Sequence, residues 1–167
     1  MKKVILLKGL PASGKSTWAK QQLEANPGVY KRVNKDELRS MLDNSHWSRG
    51  NEKFVLRLRD HLILVALEDG KHVIVDDTNL HPKHEQQIRQ LVKGLAEVEV
   101  RMFEADVEEC VQRDANRAKP VGAKVIRDMY RQFLAPAARA YAPADGLPAA
   151  VLCDLDGTLA LLNGRNP

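Results

Sequence analysis

The chain contains 167 residues, of which 44% are hydrophobic and 29% are charged. This composition is typical of a soluble globular protein of one ordinary domain, and it argues against a disordered or membrane-embedded chain. The net charge of +4 permits a polyanionic partner without requiring one. The two cysteines, Cys110 and Cys153, lie far apart, which argues against a disulfide framework and against a zinc ribbon.

The apolar runs of the chain are short. Residues 4–7 follow two lysines, but the run ends at Lys8 and is too short for a signal peptide. Residues 62–67 fall far below the length of a membrane span. We therefore expect a cytoplasmic protein with reduced thiols and no membrane partner. A homo-oligomer is compatible with the sequence.

The segment from residue 9 to residue 17 carries the first functional signal. It reads Gly-Leu-Pro-Ala-Ser-Gly-Lys-Ser-Thr, the phosphate-loop pattern G-x-x-x-x-G-K-[ST], and it lies between an apolar strand and an amphipathic helix. The backbone N–H groups of such a loop bind phosphate at a helix N-terminus. We predict that this loop binds ATP and Mg²⁺ through Gly9, Ser13, Gly14, Lys15, Ser16 and Thr17, with Lys15 on the β- and γ-phosphates and the Ser16 hydroxyl on the metal.

Strand and helix patterns alternate along the chain. The predicted strands are 4–7, 29–33, 72–75 and 98–102, and the predicted helices are 18–23, 35–42, 54–66, 88–95, 107–111 and 125–133. This alternation predicts an α/β fold with a mainly parallel sheet of four to five strands, flanked by helices on both faces. In the longest helix, the apolar residues at helical spacing are Phe54, Val55, Leu58, Leu62, Val65 and Ala66.

The second predicted helix begins with a capping pattern and a charged pair. Asn34 and Glu37 have the spacing of a capping box. Asp36 and Arg39 share one helical face, which we expect to point toward the phosphate loop. Phosphoryl transfer to an alcohol needs a carboxylate that accepts the hydroxyl proton, which favours Asp36 as a general base. Arg39 would bind an acceptor phosphate or hold the base, and an ordinary exposed ion pair is the alternative.

Two carboxylates, Asp76 and Asp77, directly follow the strand at 72–75. Related folds place a carboxylate here that faces Mg²⁺, directly or through water. We expect one of the two to serve that function and the other to cap the following loop.

Basic residues are concentrated between Arg113 and Arg131, a segment that contains six basic residues and only two acidic ones. In a phosphate-loop protein, such a segment is a candidate lid over the nucleotide, and Arg117, with Arg113 as a weaker candidate, would neutralise the transferring phosphoryl group. A solvated helix pair with surface arginines is the alternative. Trp47, in the loop-like segment 43–50, would suit stacking on a base, although a lone tryptophan is not a stacking platform.

The last part of the chain has a different composition. Residues 135–148 are rich in alanine and proline and are predicted to form a linker. Residues 149–153 then resemble a new strand, which ends in Asp154-Leu-Asp-Gly-Thr-Leu159.

Taken in order, these motifs resemble the kinase module of the phage-type polynucleotide kinase–phosphatases, and the resemblance runs nearly end to end. It rests on the Met-Lys-Lys start with its apolar strand, on the phosphate loop through Trp18, and on residues 26–30, 34–39, 77–80, 113–117, 129–130 and 154–160. It implies a kinase domain over residues 1–134 with a helical basic lid, a linker over 135–148, and the start of a haloacid-dehalogenase-type phosphatase domain over 149–167.

The resemblance implies transfer of the ATP γ-phosphate to the 5′-hydroxyl end of DNA or RNA. Its implied catalytic residues are Lys15, Asp36 and Arg117, and Arg113 joins Arg117 in binding ATP. Its implied acceptor-binding residues are Asp36, Arg39, Asp77, Thr78 and Val121. Its implied metal-binding residues are Ser16 and Asp77.

In the phosphatase-like segment, Asp154 would be the nucleophile and Asp156 the general acid. The downstream motifs of such phosphatases are absent from the chain. We therefore predict no phosphatase activity, and we expect either a truncated chain or a kinase that lost its partner domain.

Two other functions stay open at this stage. One is a kinase for a different hydroxyl, such as a modified base in phage DNA, a small metabolite or an antibiotic. The other is a nucleotide-dependent binding module without transfer chemistry, against which Asp36 and the basic segment argue.

Overall fold

The computed structural model describes residues 1–136. The phosphatase-like segment and nearly all of the predicted linker lie outside the described residues. Residues Met1–Ala135 form one compact unit. The assignment of domains along the whole chain stays a prediction.

A parallel sheet forms the centre of this unit. Its four strands are β1 (Lys3–Gly9), β2 (Tyr30–Val33), β3 (His72–Val75) and β4 (Glu97–Phe103), in the spatial order β2-β3-β1-β4. Every pairing is parallel, with Leu6 opposite both Val75 and Val100. The predicted α/β fold with a parallel sheet is confirmed, and the candidate fifth strand at 149–153 lies outside the described residues.

Six helices connect and flank these strands within residues 1–136. They are α1 (Lys15–Ala25), α2 (Lys35–Asp43), α3 (Arg49–Glu68), α4 (Pro82–Leu91), α5 (Val107–Ala115) and α6 (Ala123–Phe133). Local sequence explains several helix starts. The Ser48 hydroxyl accepts the N–H of Asn51 at 3.1 Å, and Pro82 occupies the first turn of α4, where a missing N–H costs nothing.

Alternation along the buried strands divides the core between the two faces of the sheet. Val4 and Leu6 point to the face covered by α3 and α4, whereas Ile5 and Leu7 point to the face covered by α1. A third apolar cluster lies under α5 and α6 and consists of Leu10, Leu80, Cys110 and Ile126. The two lid helices are therefore packed against the main body rather than held by charge alone.

Three local details differ from the sequence prediction. Helix α4 spans Pro82–Leu91 rather than the predicted 88–95. The side chain of Asn34 accepts the N–H of Glu37 at 2.9 Å, but the Glu37 carboxylate binds Arg32 at 2.6 and 2.8 Å instead of completing the capping box. In α3, Phe54, Leu62 and Val65 are exposed, and the buried face is formed by Val55, Arg59, Ile63, Ala66 and Leu67. Among the described helices, none is both long enough and apolar enough to cross a membrane.

Candidate active site

The phosphate loop follows β1 and folds tightly against β4. A side chain at Gly9 would place its Cβ 2.7 Å from the carbonyl oxygen of Phe103 and 2.8 Å from Ser13 Oγ, so only glycine fits there. Gly14 has a φ of 95°, in the left-handed region, and is the N-cap of α1. The loop therefore brings its backbone directly to a helix N-terminus, which is a favourable environment for an anion.

The side chain of Lys15 is buried within this loop. Its Nζ donates to the carbonyl oxygens of Gly9 and Leu10 at 3.0 and 2.5 Å, and to Ser13 Oγ at 3.3 Å. Burial lowers the pKa of Lys15 to about 8, and the nearby carboxylate of Asp76 opposes that shift. An incoming phosphate would meet an ammonium group that is poorly solvated and already oriented by the loop.

A cavity of about 500 Å³ lies in front of the loop. All the residues predicted to bind the cofactor line it except Gly9, which lies beneath the loop. Arg113, in the last turn of α5, and Arg117, just after that helix, complete this lining. Arg113 is paired with Glu109, and Arg117 is paired with Asp114 at 3.3 Å. The structure thus brings the basic lid and the phosphate loop to one cavity.

A second cavity, of about 430 Å³, adjoins the first. Its lining includes every residue predicted to bind the acceptor, namely Asp36, Arg39, Asp77, Thr78 and Val121. Lys15, Ser16 and Arg117 line both cavities. A group bound beside Lys15 would therefore be accessible from both cavities. The individual roles of these residues stay predictions.

The order of the strands explains why these residues converge. Because β3 lies between β1 and β2, the residues after β3 are placed between the phosphate loop and the start of α2. Asp77 Oδ1 accepts the N–H of Lys35 at 3.0 Å, and the Asn34 amide donates to the carbonyl of Asp76. These two bonds fix the first turn of α2. Asp36, in that turn, keeps a side chain that is 82% exposed and faces the second cavity.

Asp76 and Asp77 both line the second cavity, so the structure does not separate a functional carboxylate from a structural one. Asp76 is bound by Arg32, with Nε and Nη2 each 2.7 Å from Oδ2. Burial raises the pKa of Asp77, against the opposing charge of Lys35. Asp76 Oδ1 and Asp77 Oδ2 are buried without a hydrogen-bond partner among residues 1–136. Each carboxylate therefore has one oxygen available to a ligand.

Glu52 is a site residue that the sequence analysis missed. Its carboxylate accepts from Arg39 Nε at 2.8 Å and lies 3.7 Å from Lys35 Nζ. Burial alone would raise the pKa of Glu52, but the hydrogen bonds and charge of Arg39 outweigh burial and lower it. Arg39 also contacts Asp36, so Glu52, Arg39 and Asp36 form a chain of charges from α3 to the cavity. No local motif marks Glu52, because its partner lies 13 residues away on another helix.

Asp114 is a second residue that the sequence did not single out. It is fully buried at the end of α5, where Oδ2 accepts the N–H of Gly122 at 2.8 Å and Oδ1 accepts from Arg117. The loop between α5 and α6 is thereby closed on itself, with Arg117 and Val121 on its cavity side. An aspartate within a basic segment is expected to be exposed, so the sequence alone does not indicate that Asp114 is buried.

Comparison with known proteins agrees with this geometry. The family model described as AAA domain matches residues 4–136. The chain belongs to this family. The "Putative bifunctional polynucleotide kinase/RNA ligase" of Autographa californica nuclear polyhedrosis virus is 30% identical over 99% of the chain and 26% of its own length. The L-seryl-tRNA(Sec) kinase of Methanococcus maripaludis is 28% identical over 80% of the chain and 53% of its own length.

Solved structures of similar fold include a chain of an RNA repair complex and a kinase. A chain of the Pnkp1/Rnl/Hen1 RNA repair complex superposes with a TM-score of 0.71 and 31% identity, over 99% of this chain and 60% of its own. The APS kinase CysC of Mycobacterium tuberculosis, solved with AMPPNP and APS, has a TM-score of 0.55 at 22% identity over 69% of both chains, which shows the fold alone. The resemblance to polynucleotide kinases and the phosphate-loop kinase fold are confirmed. The chain spans about a quarter and about half the length of the two curated relatives.

Proposed function

We propose that this protein is a polynucleotide 5′-hydroxyl kinase, which transfers the γ-phosphate of ATP to the 5′-OH end of DNA or RNA. The observation that carries this proposal is the meeting of two cavities at Lys15, Ser16 and Arg117. One cavity is built by a phosphate loop, and the other contains an exposed carboxylate, Asp36, and an oriented guanidinium, Arg39. The polynucleotide kinase/RNA ligase relative and the RNA repair complex support a nucleic acid acceptor.

In the first cavity, the loop N–H groups and Lys15 bind the phosphates of ATP, and Arg113 and Arg117 close over them. Ser16 Oγ and a carboxylate after β3 would hold Mg²⁺. The resemblance favours Asp77, and the structure keeps Asp76 as a candidate, because its Oδ1 is also unpartnered among the described residues. The residues fit this ion, because each buried carboxylate has one unpartnered oxygen and Mg²⁺ prefers oxygen ligands. Bound Mg²⁺ supplies charge neutralisation at the β- and γ-phosphates.

In the second cavity, Asp36 accepts the proton of the 5′-hydroxyl while the hydroxyl oxygen forms a bond to the γ-phosphorus. The bond from that phosphorus to the β–γ bridging oxygen breaks, and ADP leaves with the electron pair. Arg39 binds the acceptor phosphate next to the terminal nucleoside, since a guanidinium pairs well with phosphate oxygens. Lys15 and Arg117 neutralise charge on the group in transfer. Asp77 acts through Lys35 to hold α2 and hence Asp36 in position.

A kinase for another hydroxyl is a second candidate, and one observation favours it. The L-seryl-tRNA(Sec) kinase relative is named for an acceptor other than a 5′ end, and it matches 80% of this chain. Phosphatase activity is a separate question. The prediction that it is absent concerns Asp154 and Asp156, which lie outside the described residues.

A panel of acceptors with γ-labelled ATP and Mg²⁺ tests the proposal. We expect label on single-stranded DNA or RNA with a 5′-OH, and none on the same strands with a 5′-phosphate or on closed circular DNA. Equal labelling of closed circular DNA would identify a base hydroxyl instead, and labelling of seryl-tRNA alone would favour the second candidate. Binding of ATP without transfer to any acceptor would indicate a nucleotide-dependent binding module instead of a kinase.

A further inference from the structure

The loop of residues 44–48, between α2 and α3, joins two walls of the acceptor cavity. The N–H of Ser45 donates to the carbonyl of Arg39 at 3.0 Å, and Ser45 Oγ lies 3.4 Å from Lys119 Nζ. Arg39 lines the cavity, and Lys119 lies between Arg117 and Val121, which also line it. The loop therefore stands beside the cavity, bonded to helix α2 on one side and to the lid on the other.

This loop is held in a defined conformation. Asn44 and Ser45 adopt φ angles of 44° and 67°, in the left-handed region that non-glycine residues rarely occupy. The N–H of His46 donates to the carbonyl of Asp43 at 2.7 Å, and the carbonyl of His46 accepts from the Asn51 side chain at 2.7 Å. The backbone is thus fixed on the N-terminal side of Trp47, and Ser48 fixes the other side as the cap of α3.

The side chain of Trp47 is 69% exposed on this fixed loop. Trp18, by contrast, packs against other side chains. Its ring centroid lies 5.9 Å from that of Phe103, and the Arg101 guanidinium lies over the ring at 4.4 Å. The nearest basic neighbours along the loop and lid, Arg49 and Lys119, are also exposed. An aromatic face flanked by basic side chains is the combination that binds single-stranded nucleic acid.

We propose that Trp47 forms a base-stacking subsite for the acceptor strand, binding a nucleobase downstream of the reacting 5′ nucleotide while Arg49 and Lys119 face the strand's phosphates. This inference rests on the proposed polynucleotide acceptor. Stacking on an indole tolerates any base, so the subsite adds affinity for a strand without adding sequence specificity.

The test compares two acceptors in the Trp47→Ala variant. One is a short 5′-OH oligothymidylate, and the other is thymidine 3′-monophosphate, which has no downstream base. We expect the KM for the oligonucleotide to rise about tenfold or more, because one base stack is lost, while kcat and the KM for the mononucleotide stay unchanged. Trp47→Phe should retain most of the affinity. Phe54→Ala, which removes an exposed aromatic from α3 rather than from the 44–48 loop, should change nothing.

Two results would overturn the subsite: an unchanged KM for the oligonucleotide, or an equal rise for both acceptors, which would mark a structural role. Binding of the oligothymidylate to the Trp18→Phe variant, followed by fluorescence of the remaining Trp47, separates this inference from the proposed function. Quenching in this variant, combined with no phosphate transfer by the unmodified chain, would support the subsite and reject the kinase. Transfer without quenching would reject the subsite and keep the kinase.

Discussion

Lys15 combines burial with a positive charge, and that combination makes nucleotide binding sensitive to pH. Burial holds the pKa of Lys15 near 8, well below the ordinary value of 10.5. A triphosphate beside the ammonium group favours the charged form and raises the pKa again. Between pH 8 and 10, the free protein is therefore partly deprotonated at Lys15, while the complex is protonated.

We predict that ATP binding takes up a proton at pH 8.5 and that affinity falls as the pH rises above about 8. Calorimetry in two buffers with different ionisation enthalpies measures this uptake directly. At pH 7, Lys15 is already protonated, so uptake from this source should vanish. The phosphate groups titrate near pH 6 and do not contribute at pH 8.5. Equal binding enthalpies in both buffers at pH 8.5 would contradict the prediction.

Glu52 matters because it holds Arg39 without touching the acceptor. We predict that Glu52→Gln, which removes the charge but keeps the size, lowers kcat/KM for a 5′-OH oligonucleotide about tenfold, since a charged hydrogen bond contributes about 1.5–3 kcal/mol. The KM for ATP should not change. Glu85→Gln is the matched control, because Glu85 also binds two basic residues, Lys8 and Arg89, but lies on α4 outside both cavities. An equal loss of kcat/KM in the two variants would show that Glu52 has no specific role in the site.

Among the elements, the proposed lid of α5 and α6 depends on a single buried carboxylate. Asp114 holds both Gly122 and Arg117, so its removal frees the loop between the two helices. We predict that Asp114→Ala speeds tryptic cleavage after Arg117 and raises the KM for ATP, because Arg117 is no longer held over the first cavity. Asp128→Ala, which removes an exposed partner of Arg131 on α6, should leave both unchanged. An unaltered cleavage pattern in Asp114→Ala would contradict this account of the lid.

Elements defined by local patterns could be predicted from the sequence, and contacts between elements could not. The phosphate loop, the strand before it and the cap at Asn34 depend on neighbouring residues, so their spacing reveals them. Helix α3 shows the limit, because it is apolar on more than one face. The buried face includes Arg59, which is 3% exposed and paired with Asp60, while Phe54 and Leu62 face outward. Only the packing against the sheet selects between those faces.

The same limit applies within the site. Asp36, Arg39 and Asp77 could be found because they follow strands whose carboxyl ends meet at one edge of a parallel sheet. Glu52 and Asp114 act across helix contacts and have no such signature. Sequence carries no information about which oxygen atoms of Asp76 and Asp77 other residues already occupy; within residues 1–136, one oxygen of each is without a hydrogen-bond partner.

For the whole molecule, strand order is what turns separate motifs into one site. With β3 between β1 and β2, the phosphate loop, the carboxylates after β3 and the first turn of α2 surround a common point, and the lid closes it from the other side. We propose that Asp36 removes a proton there while the loop holds ATP independently. Loss of Asp36 should therefore affect transfer and leave nucleotide binding intact.

Single-turnover transfer by Asp36→Asn is the most direct measurement of that claim. The variant, saturated with γ-labelled ATP and Mg²⁺, is mixed with a 5′-OH oligonucleotide, and the rate of labelling is compared with that of the unmodified chain and of Asp43→Asn at the other end of α2. We predict a loss of roughly 10²–10⁴ in rate for Asp36→Asn alone, with the affinity for ATP unchanged. Transfer by Asp36→Asn at the unmodified rate would contradict the account.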